Sequence, residues 1–275
     1  MGTEEKLKKL KDIIKDFESV VVAFSGGVDS SLVAKVCYDV LGNKAIAVTA
    51  RSETYPAYEY EEAVKIAKEI GISHMTIDTS ELGIKGFAEN PPNRCYFCKS
   101  ELFGKLREIA REKGYKNVAD GANLDDAGEY RPGLDAAKEL EVRSPLKESG
   151  LRKADIREIS KHLNLSNWNK PSYACMSSRF PYGQSITEEK LTIVAAAENY
   201  LRDFGLKQFR VRHHDTIARI EVLPEDIPLL LQNGKRNELV RKFKDIGYKY
   251  ITIDMEGYRS GSMNEVLISQ SNKKG

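Results

Sequence analysis

The sequence predicts an α/β protein, a doubly wound parallel sheet followed by a smaller α+β domain. Three observations predict it. Short, wholly apolar runs recur through the first two-thirds of the chain, they alternate with amphipathic stretches of helical length, and a glycine-rich turn closes the first run. The pattern changes after Phe180, which sets the expected domains at 1–180 and 181–275.

The elements follow in order. The charged segment 1–18 carries Leu7, Leu10, Ile13, Ile14 and Phe17 at helical spacing. Val20-Val21-Val22-Ala23-Phe24 is uniformly apolar, as a strand covered on both faces must be. Ser25-Gly26-Gly27 ends it, and a helix begins near Asp29. Ala45-Ile46-Ala47-Val48-Thr49, His74-Met75-Thr76-Ile77-Asp78 and Asn117-Val118-Ala119-Asp120 read as further strands, with helices over 58–70, 101–113 and 154–163. This cadence places ligands at the carboxyl ends of the strands. In the second part, Thr187 caps a helix running to 204. Strands over 208–213 and 217–223 meet at a turn at His214-Asp215, helices cover 225–232 and 236–246, and a last strand covers 250–254. The tail 269–275 is polar.

Bulk composition excludes several classes. Of 275 residues, 41% are apolar and 31% charged, and the formal net charge of +2 gives no argument for a nucleic-acid or membrane partner. No apolar run approaches the roughly 20 residues of a membrane helix. The charged first segment lacks the apolar stretch of a signal peptide, so a cytoplasmic protein is expected.

Ser25-Gly26-Gly27-Val28-Asp29-Ser30-Ser31 sits between a buried strand and an amphipathic helix. Glycines let backbone N–H groups close around a phosphate, the helix N-terminus adds a favourable dipole, and the serines add hydroxyl donors. The Gly-Lys-Ser/Thr ending of a Walker loop is missing. Asp120-Gly121-Ala122-Asn123-Leu124-Asp125-Asp126 follows the fourth strand, at the same sheet edge. Carboxylates beside a polyphosphate need Mg²⁺ between them. An Asx-rich turn is the plainer alternative for this second element.

Four cysteines are present: Cys37, Cys95, Cys98 and Cys175. Cys37 falls on the apolar stripe of its helix and reads as a small buried hydrophobe. Cys95 and Cys98 are read in a loop leading into a helix, spaced to share one metal or cluster, and Cys175 in another loop. Three such cysteines fit an iron–sulfur cluster with one open iron. Spacing equally allows a zinc site completed by His74, His162, His213 or His214, or a redox pair of Cys95 and Cys98. Arg94 and Lys99 flank the pair as candidate anion ligands, with ordinary surface charges as the alternative. Strand alternation puts Arg210 and Arg212 on one face, suited to a phosphate or carboxylate, with Glu221 on the adjacent strand; a solvated strand face is the alternative.

The first loop matches the S-G-G-x-D-S signature and resembles the PP-loop ATP pyrophosphatases. That resemblance implies cleavage of ATP between its α and β phosphates. Ser25, Gly26, Gly27, Ser30, Ser31, Asp120, Asn123 and Asp125 would hold ATP or pyrophosphate, and Asp29 would organise Mg²⁺ or the transferring group. The ordered set S-G-G-V-D-S, N-R-C-Y-F-C-K-x-E-L-F, D-G-x-N-x-D-D, R-P-G and P-S-x-A-C-x-x-S-R-x-P-Y-G is similar over almost the whole chain to the LarE family. Ala122 replaces the threonine usual in the third motif. LarE-type enzymes are ATP-dependent sulfur transferases that make the nickel-pincer nucleotide cofactor of lactate racemase. The resemblance implies that the substrate is pyridinium-3,5-biscarboxylic acid mononucleotide, whose carboxylates become thiocarboxylates. One branch of the family sacrifices the sulfur of a single cysteine, here Cys175. The other carries three cysteines and a 4Fe–4S cluster that relays sulfide, and Cys95, Cys98 and Cys175 place this sequence there.

The resemblance also implies a substrate or inter-subunit role for Arg210, Arg212 and Glu221, and a homo-oligomer. A tRNA thiolase would share the loop and cysteines but carry added RNA-binding modules or further Cys-x-x-Cys pairs, and none is present. An amidotransferase synthetase would need a glutaminase partner. A non-catalytic, zinc-stapled ATP-binding module would bind ATP without releasing pyrophosphate.

Overall fold

The computed structural model describes residues 2–128, 132–259, 261–265 and 267. Arg131 of the R-P-G motif and the polar tail 269–275 lie outside the described residues. The chain forms two compact units, Met1–Ile84 with Asn93–Tyr173, and Lys85–Pro92 with Ala174–Gly275. Against the expected boundary at 180/181, residues 174–180 fall with the second unit, as does the excursion 85–92.

The first unit contains α1 (Thr3–Lys15), β1 (Val20–Ala23), α2 (Val28–Leu41), β2 (Ala45–Arg51), α3 (Ala57–Ile70), β3 (Ser73–Asp78), α4 (Arg94–Lys113), β4 (Asn117–Ala119), α5 (Gly133–Glu139), α6 (Pro145–Glu148) and α7 (Lys153–His162). Its sheet runs β3-β2-β1-β4 with every pair parallel. The valine run of β1 works as expected. Val20 and Val22 enter a core with Leu10, Leu32, Val33, Ile66 and Ile156 from α1, α2, α3 and α7. Val21, on the opposite face, joins Phe103, Leu106 and Ala136 from α4 and α5. Strand order reverses beside β1: the chain moves outward through β2 and β3, then returns to β4 on the other side. The crevice at the carboxyl ends of β1 and β4 is therefore the topological switch point, where open α/β sheets bind ligands.

The second unit contains α8 (Glu188–Asp203), β5 (Phe209–His214), β6 (Ile217–Val222), α9 (Ile227–Leu231), α10 (Lys235–Ile246) and β7 (Tyr250–Ile253). β5 and β6 pair antiparallel, and β6 and β7 parallel. The hairpin turns with Asp215 at φ 52°, a left-handed conformation that aspartate tolerates. Thr187 caps α8 by accepting the Lys190 N–H at 3.3 Å. Leu201 of α8, Phe243 of α10 and Tyr248 just after α10 share one core with Val211, Ile220 and Val222 of the sheet. The helix expected over 225–232 is broken by Pro228, which has no N–H to continue a helix begun at 225: Pro224–Asp226 form a 3-10 turn, and α9 starts afresh with Pro228 in its first turn.

The excursion Lys85–Pro92 is tied into this unit. Ile186 N–H donates to Ala88 O at 2.8 Å, and Gly183 N–H donates to Asn90 O at 2.9 Å. Asn90 is completely buried and donates from Nδ2 to the carbonyls of Phe180 (3.2 Å) and Pro181 (2.7 Å).

The unit also buries charge. Arg179 is wholly enclosed and forks onto Glu198 of α8, Nε and Nη2 each 2.8 Å from a carboxylate oxygen. The Arg179 guanidinium helps hold the Glu198 carboxyl below its ordinary pKa despite full burial. Glu198→Ala leaves a buried guanidinium without its counter-charge, so we expect a loss of about 3–5 kcal/mol. A lowered urea midpoint with unchanged slope will register it.

Candidate active site

The loop after β1 brings backbone, not side chains, against its neighbours. Gly26 takes φ 64°, and a Cβ there would lie 2.7 Å from the Ala63 Cα, so only glycine lets the loop rest on α3. Gly27 is the N-cap of the fourteen-residue α2 and brings no capping side chain, leaving the first-turn N–H groups to a ligand. The serines brace the loop internally. Ser25 N–H donates to Ser30 Oγ at 3.2 Å, and Ser30 Oγ–H donates to Gly27 O at 3.1 Å.

The loop after β4 packs against the same helix turn. A Cβ on Gly121 would meet Ser30 N at 3.0 Å and Asp29 Cβ at 3.3 Å. Asp120 is buried beside it and accepts from Ser144 Oγ (2.8 Å) and Ala122 N–H (3.1 Å). Asn123 and Asp126 fold the loop upon itself: Asn123 Oδ1 accepts Asp125 N–H, and Asp126 accepts Asn123 N–H, both at 2.9 Å. Asp125 accepts the Lys153 N–H at 2.9 Å and pairs with Arg152. The Asx-turn alternative is thus realised, and the turn holds Asp120 at its start.

Lys153, at the first position of α7, joins the two loops. Its backbone N–H serves Asp125 while its Nζ pairs with Asp29 Oδ2. Asp29 Oδ1 is buried with no hydrogen-bond partner among the described residues. A buried carboxylate oxygen in that condition is costly until a cation arrives, so the donor set fits Mg²⁺. Sequence reasoning missed Lys153, and it missed two further supports. Asn167 Nδ2 donates to Gly26 O at 3.0 Å and Ser31 Oγ at 2.9 Å, and Tyr55 Oη–H donates to Ser25 O at 2.9 Å. No local spacing betrays these residues, because the sheet topology brings them to the loop.

The cysteines are placed differently from expectation. Helix α4 begins at Arg94, so Cys95 and Cys98 lie on its first turns rather than in a loop before it. Cys95 is exposed, and Cys98 is half-buried with its thiol donating to Glu81 Oε1 at 2.9 Å. Positions three apart on a helix face the same side. Cys175, in the second unit, is half-buried and caps a 3-10 turn, Met176–Arg179. Among the described residues no group of three or more His, Cys, Asp or Glu side chains stands ready to hold a metal ion. His74 bonds Thr49 at 2.8 Å and His213 bonds Tyr248 at 3.1 Å. Cys37 is fully buried, which pushes its thiol far up.

The candidate anion ligands are less open than a solvated face would make them. Arg94 is buried at the start of α4, and Lys99 lies 5.3 Å from the centre of the Phe103 ring. β5 is covered on both faces, so both arginines are enclosed. Arg210 lies over the Tyr258 ring at 5.1 Å. Arg212 donates to Glu221 at 2.7 Å, Ser178 O at 2.7 Å and Ser262 Oγ at 3.0 Å. Glu221, completely buried, also takes Arg219 at 3.2 Å.

Comparison with known proteins extends these observations. A family model described as NAD synthase matches residues 4–107. An uncharacterized protein of Synechocystis sp. is 48% identical over 96% of this chain and 98% of its own length. The pyridinium-3,5-bisthiocarboxylic acid mononucleotide synthase of Lactiplantibacillus plantarum is 40% identical over 92% of each chain. A tRNA-specific 2-thiouridylase of Rickettsia peacockii is 30% identical over 56% of this chain and 52% of its own.

Burial pushes the Asp120 carboxyl above its ordinary value, against the pull of Ser144 and the Ala122 N–H. A carboxyl raised on folding stabilises the fold fully below its unfolded pKa, and that contribution is lost as pH rises through the folded value. Asp120→Asn keeps an acceptor and removes the charge. Urea unfolding across pH should show a more stable protein at neutral pH with a flatter profile. Titration with Mg–ATP should show binding weakened about tenfold or more, the worth of one charged contact.

Proposed function

The chain belongs to the LarE family of ATP-dependent PP-loop sulfur transferases, and on that premise we propose that it converts the carboxylates of pyridinium-3,5-biscarboxylic acid mononucleotide to thiocarboxylates. A carboxylate oxygen attacks the α-phosphorus of ATP and pyrophosphate leaves. A sulfur nucleophile then attacks the acyl carbon and AMP leaves, since AMP is a far better leaving group than oxide. The observation that carries the ATP half is the meeting of the β1 and β4 loops at Gly121, over the uncapped N-terminus of α2, with Asp29 Oδ1 unsatisfied beside it.

Residue roles follow from that arrangement. Ser25, Gly26, Gly27, Ser30 and Ser31 receive the pyrophosphate. Asp29 and Asp120 hold Mg²⁺, and Asn123 and Asp125 shape the loop that presents Asp120. Lys153 turns from Asp29 to the phosphates once the metal takes its place. Arg94, Lys99, Arg210 and Arg212 serve the phosphate and carboxylate of the mononucleotide, and Glu221 aligns Arg212 and Arg219 for it. The protein acts as a cytoplasmic homo-oligomer on a small-molecule nucleotide.

For sulfur, we assign Cys95, Cys98 and Cys175 as the holders of a 4Fe–4S cluster. Cys95 and Cys98 suit this, being one turn apart on α4. When bound, the cluster supplies a sulfide nucleophile and spares the cysteines. A second reading is favoured by one observation: the Cys98 thiol is engaged with the Glu81 carboxylate. In it, Cys175 Sγ itself displaces AMP; loss of the Cys175 Cα proton and cleavage of Cβ–Sγ then release the thiocarboxylate and leave dehydroalanine.

Purified protein given substrate and Mg–ATP should release AMP and pyrophosphate in equal amounts, and Lys153→Met should raise the KM for ATP about tenfold or more. No substrate-dependent pyrophosphate release would overturn the proposal. Iron and acid-labile sulfide, measured on protein reconstituted without oxygen, separate the two sulfur routes. About four irons per chain, lost on replacing any of the three cysteines, mark the cluster. Absence of iron with a mass loss of one H₂S at Cys175 after turnover marks sacrifice.

A further inference from the structure

An arginine with no exposed surface is rare, because its five donors must all find acceptors out of water. Arg179 meets that requirement in a particular way. Nε and Nη2 face Glu198, while Nη1 donates to Ala174 O at 2.7 Å, Cys175 O at 3.1 Å and Ser178 Oγ at 2.9 Å. The Cys175 carbonyl also accepts the Ser178 N–H at 3.0 Å, closing the 3-10 turn. A second buried ion pair reaches the same turn from its far end: Arg212, held by Glu221, donates to Ser178 O at 2.7 Å. Glu198 in turn accepts the Val211 N–H at 3.0 Å, so the first pair is anchored to β5 as well as α8.

We propose that Arg179 is a positioning residue for Cys175: the Arg179–Glu198 pair grips the carbonyls of Ala174 and Cys175 and fixes the backbone from which the thiol projects. The charges cancel, so the pair adds no net charge beside the thiol. What it supplies is a planar fork with donors to spare after the carboxylate is satisfied, which a lysine cannot match. A purely structural pair would be replaceable by apolar side chains of like volume at little cost. A grip on backbone carbonyls is not replaceable that way. The catalytic consequence rests on the sulfur-transfer reading above, since displacement of a reacting atom by about 1 Å costs on the order of a hundredfold in rate. The geometry of the turn does not depend on that reading.

Two variants test this on the full chain. Arg179→Met combined with Glu198→Leu removes both charges and keeps volume, and Arg179→Lys keeps the ion pair but loses the fork. Four readouts are taken: the urea midpoint, amide hydrogen exchange over 176–180, iodoacetamide labelling of Cys175 by mass spectrometry, and pyrophosphate release beside thiocarboxylate formation. The double variant should fold with a lowered urea midpoint, since the Ala174 and Cys175 carbonyls and the Val211 N–H lose their partners, and exchange and Cys175 labelling should be faster by about tenfold or more. Pyrophosphate release should persist while thiocarboxylate formation falls about a hundredfold. Wild-type exchange and labelling in a folded double variant would overturn the proposal. If the double variant does not fold, Arg179→Lys decides alone, the same accelerations supporting the grip and wild-type rates overturning it. If labelling accelerates as expected but wild-type protein releases no pyrophosphate, the positioning role stands and the sulfur-transfer reading fails.

Discussion

A polyphosphate can be held by backbone N–H groups only where no side chain stands in the way, and much of the first unit is arranged around that constraint. Gly26 lets the β1 loop lie on α3, Gly27 leaves the end of α2 uncapped, and Gly121 lets the β4 loop close on the first turn of α2. Each contact would fail with a single added carbon at Gly26 or be strained by one at Gly121. The wide polar reach of this site is then supplied from behind. Asn167, Tyr55 and Lys153 hold the loops from segments far away in sequence, and none needs to occupy the phosphate's own space.

The second unit solves a different problem. Among the charged side chains it encloses are two ion pairs, Arg179 with Glu198 and Arg212 with Glu221, that most domains of its size would leave at the surface. Desolvating ions is costly, and their mutual attraction rarely does more than offset it. Stability alone therefore gives little reason to keep them. Nη1 of Arg179 and Nη1 of Arg212 both donate to the short turn that carries Cys175, which gives the cost a location.

Much of this was legible in the sequence, and the parts that were not have a common cause. The apolar runs at Val20 and Ala45, the glycine-rich turn and the Thr187 cap are local signals, and the structure realises each within a residue or two. Cys95 and Cys98 lie inside α4 and not before it, because the helix starts at Arg94 while its first turns carry no apolar periodicity to announce it. The short helices α5 and α6 escaped notice because seven and four residues show too little periodicity. The solvated-face alternative for Arg210 and Arg212 stayed open in the sequence because strand alternation cannot tell a face covered by a neighbouring segment from one in water. Lys153 and Asn167 became visible only through contacts with residues more than a hundred positions away.

The excursion at Lys85–Pro92 has a consequence for how such a chain could have been assembled or divided. The polypeptide passes from one unit to the other three times, at 84/85, 92/93 and 173/174, so no single cut yields both units whole. A fragment beginning at 174 would lack Asn90, and the carbonyls of Phe180 and Pro181 would lose the amide that holds them. The second unit is thus not a module that recombination could append to or strip from a nucleotide-binding ancestor in one event. On the ribosome its first eight residues wait, unpartnered, until the rest of the unit is made about eighty residues later.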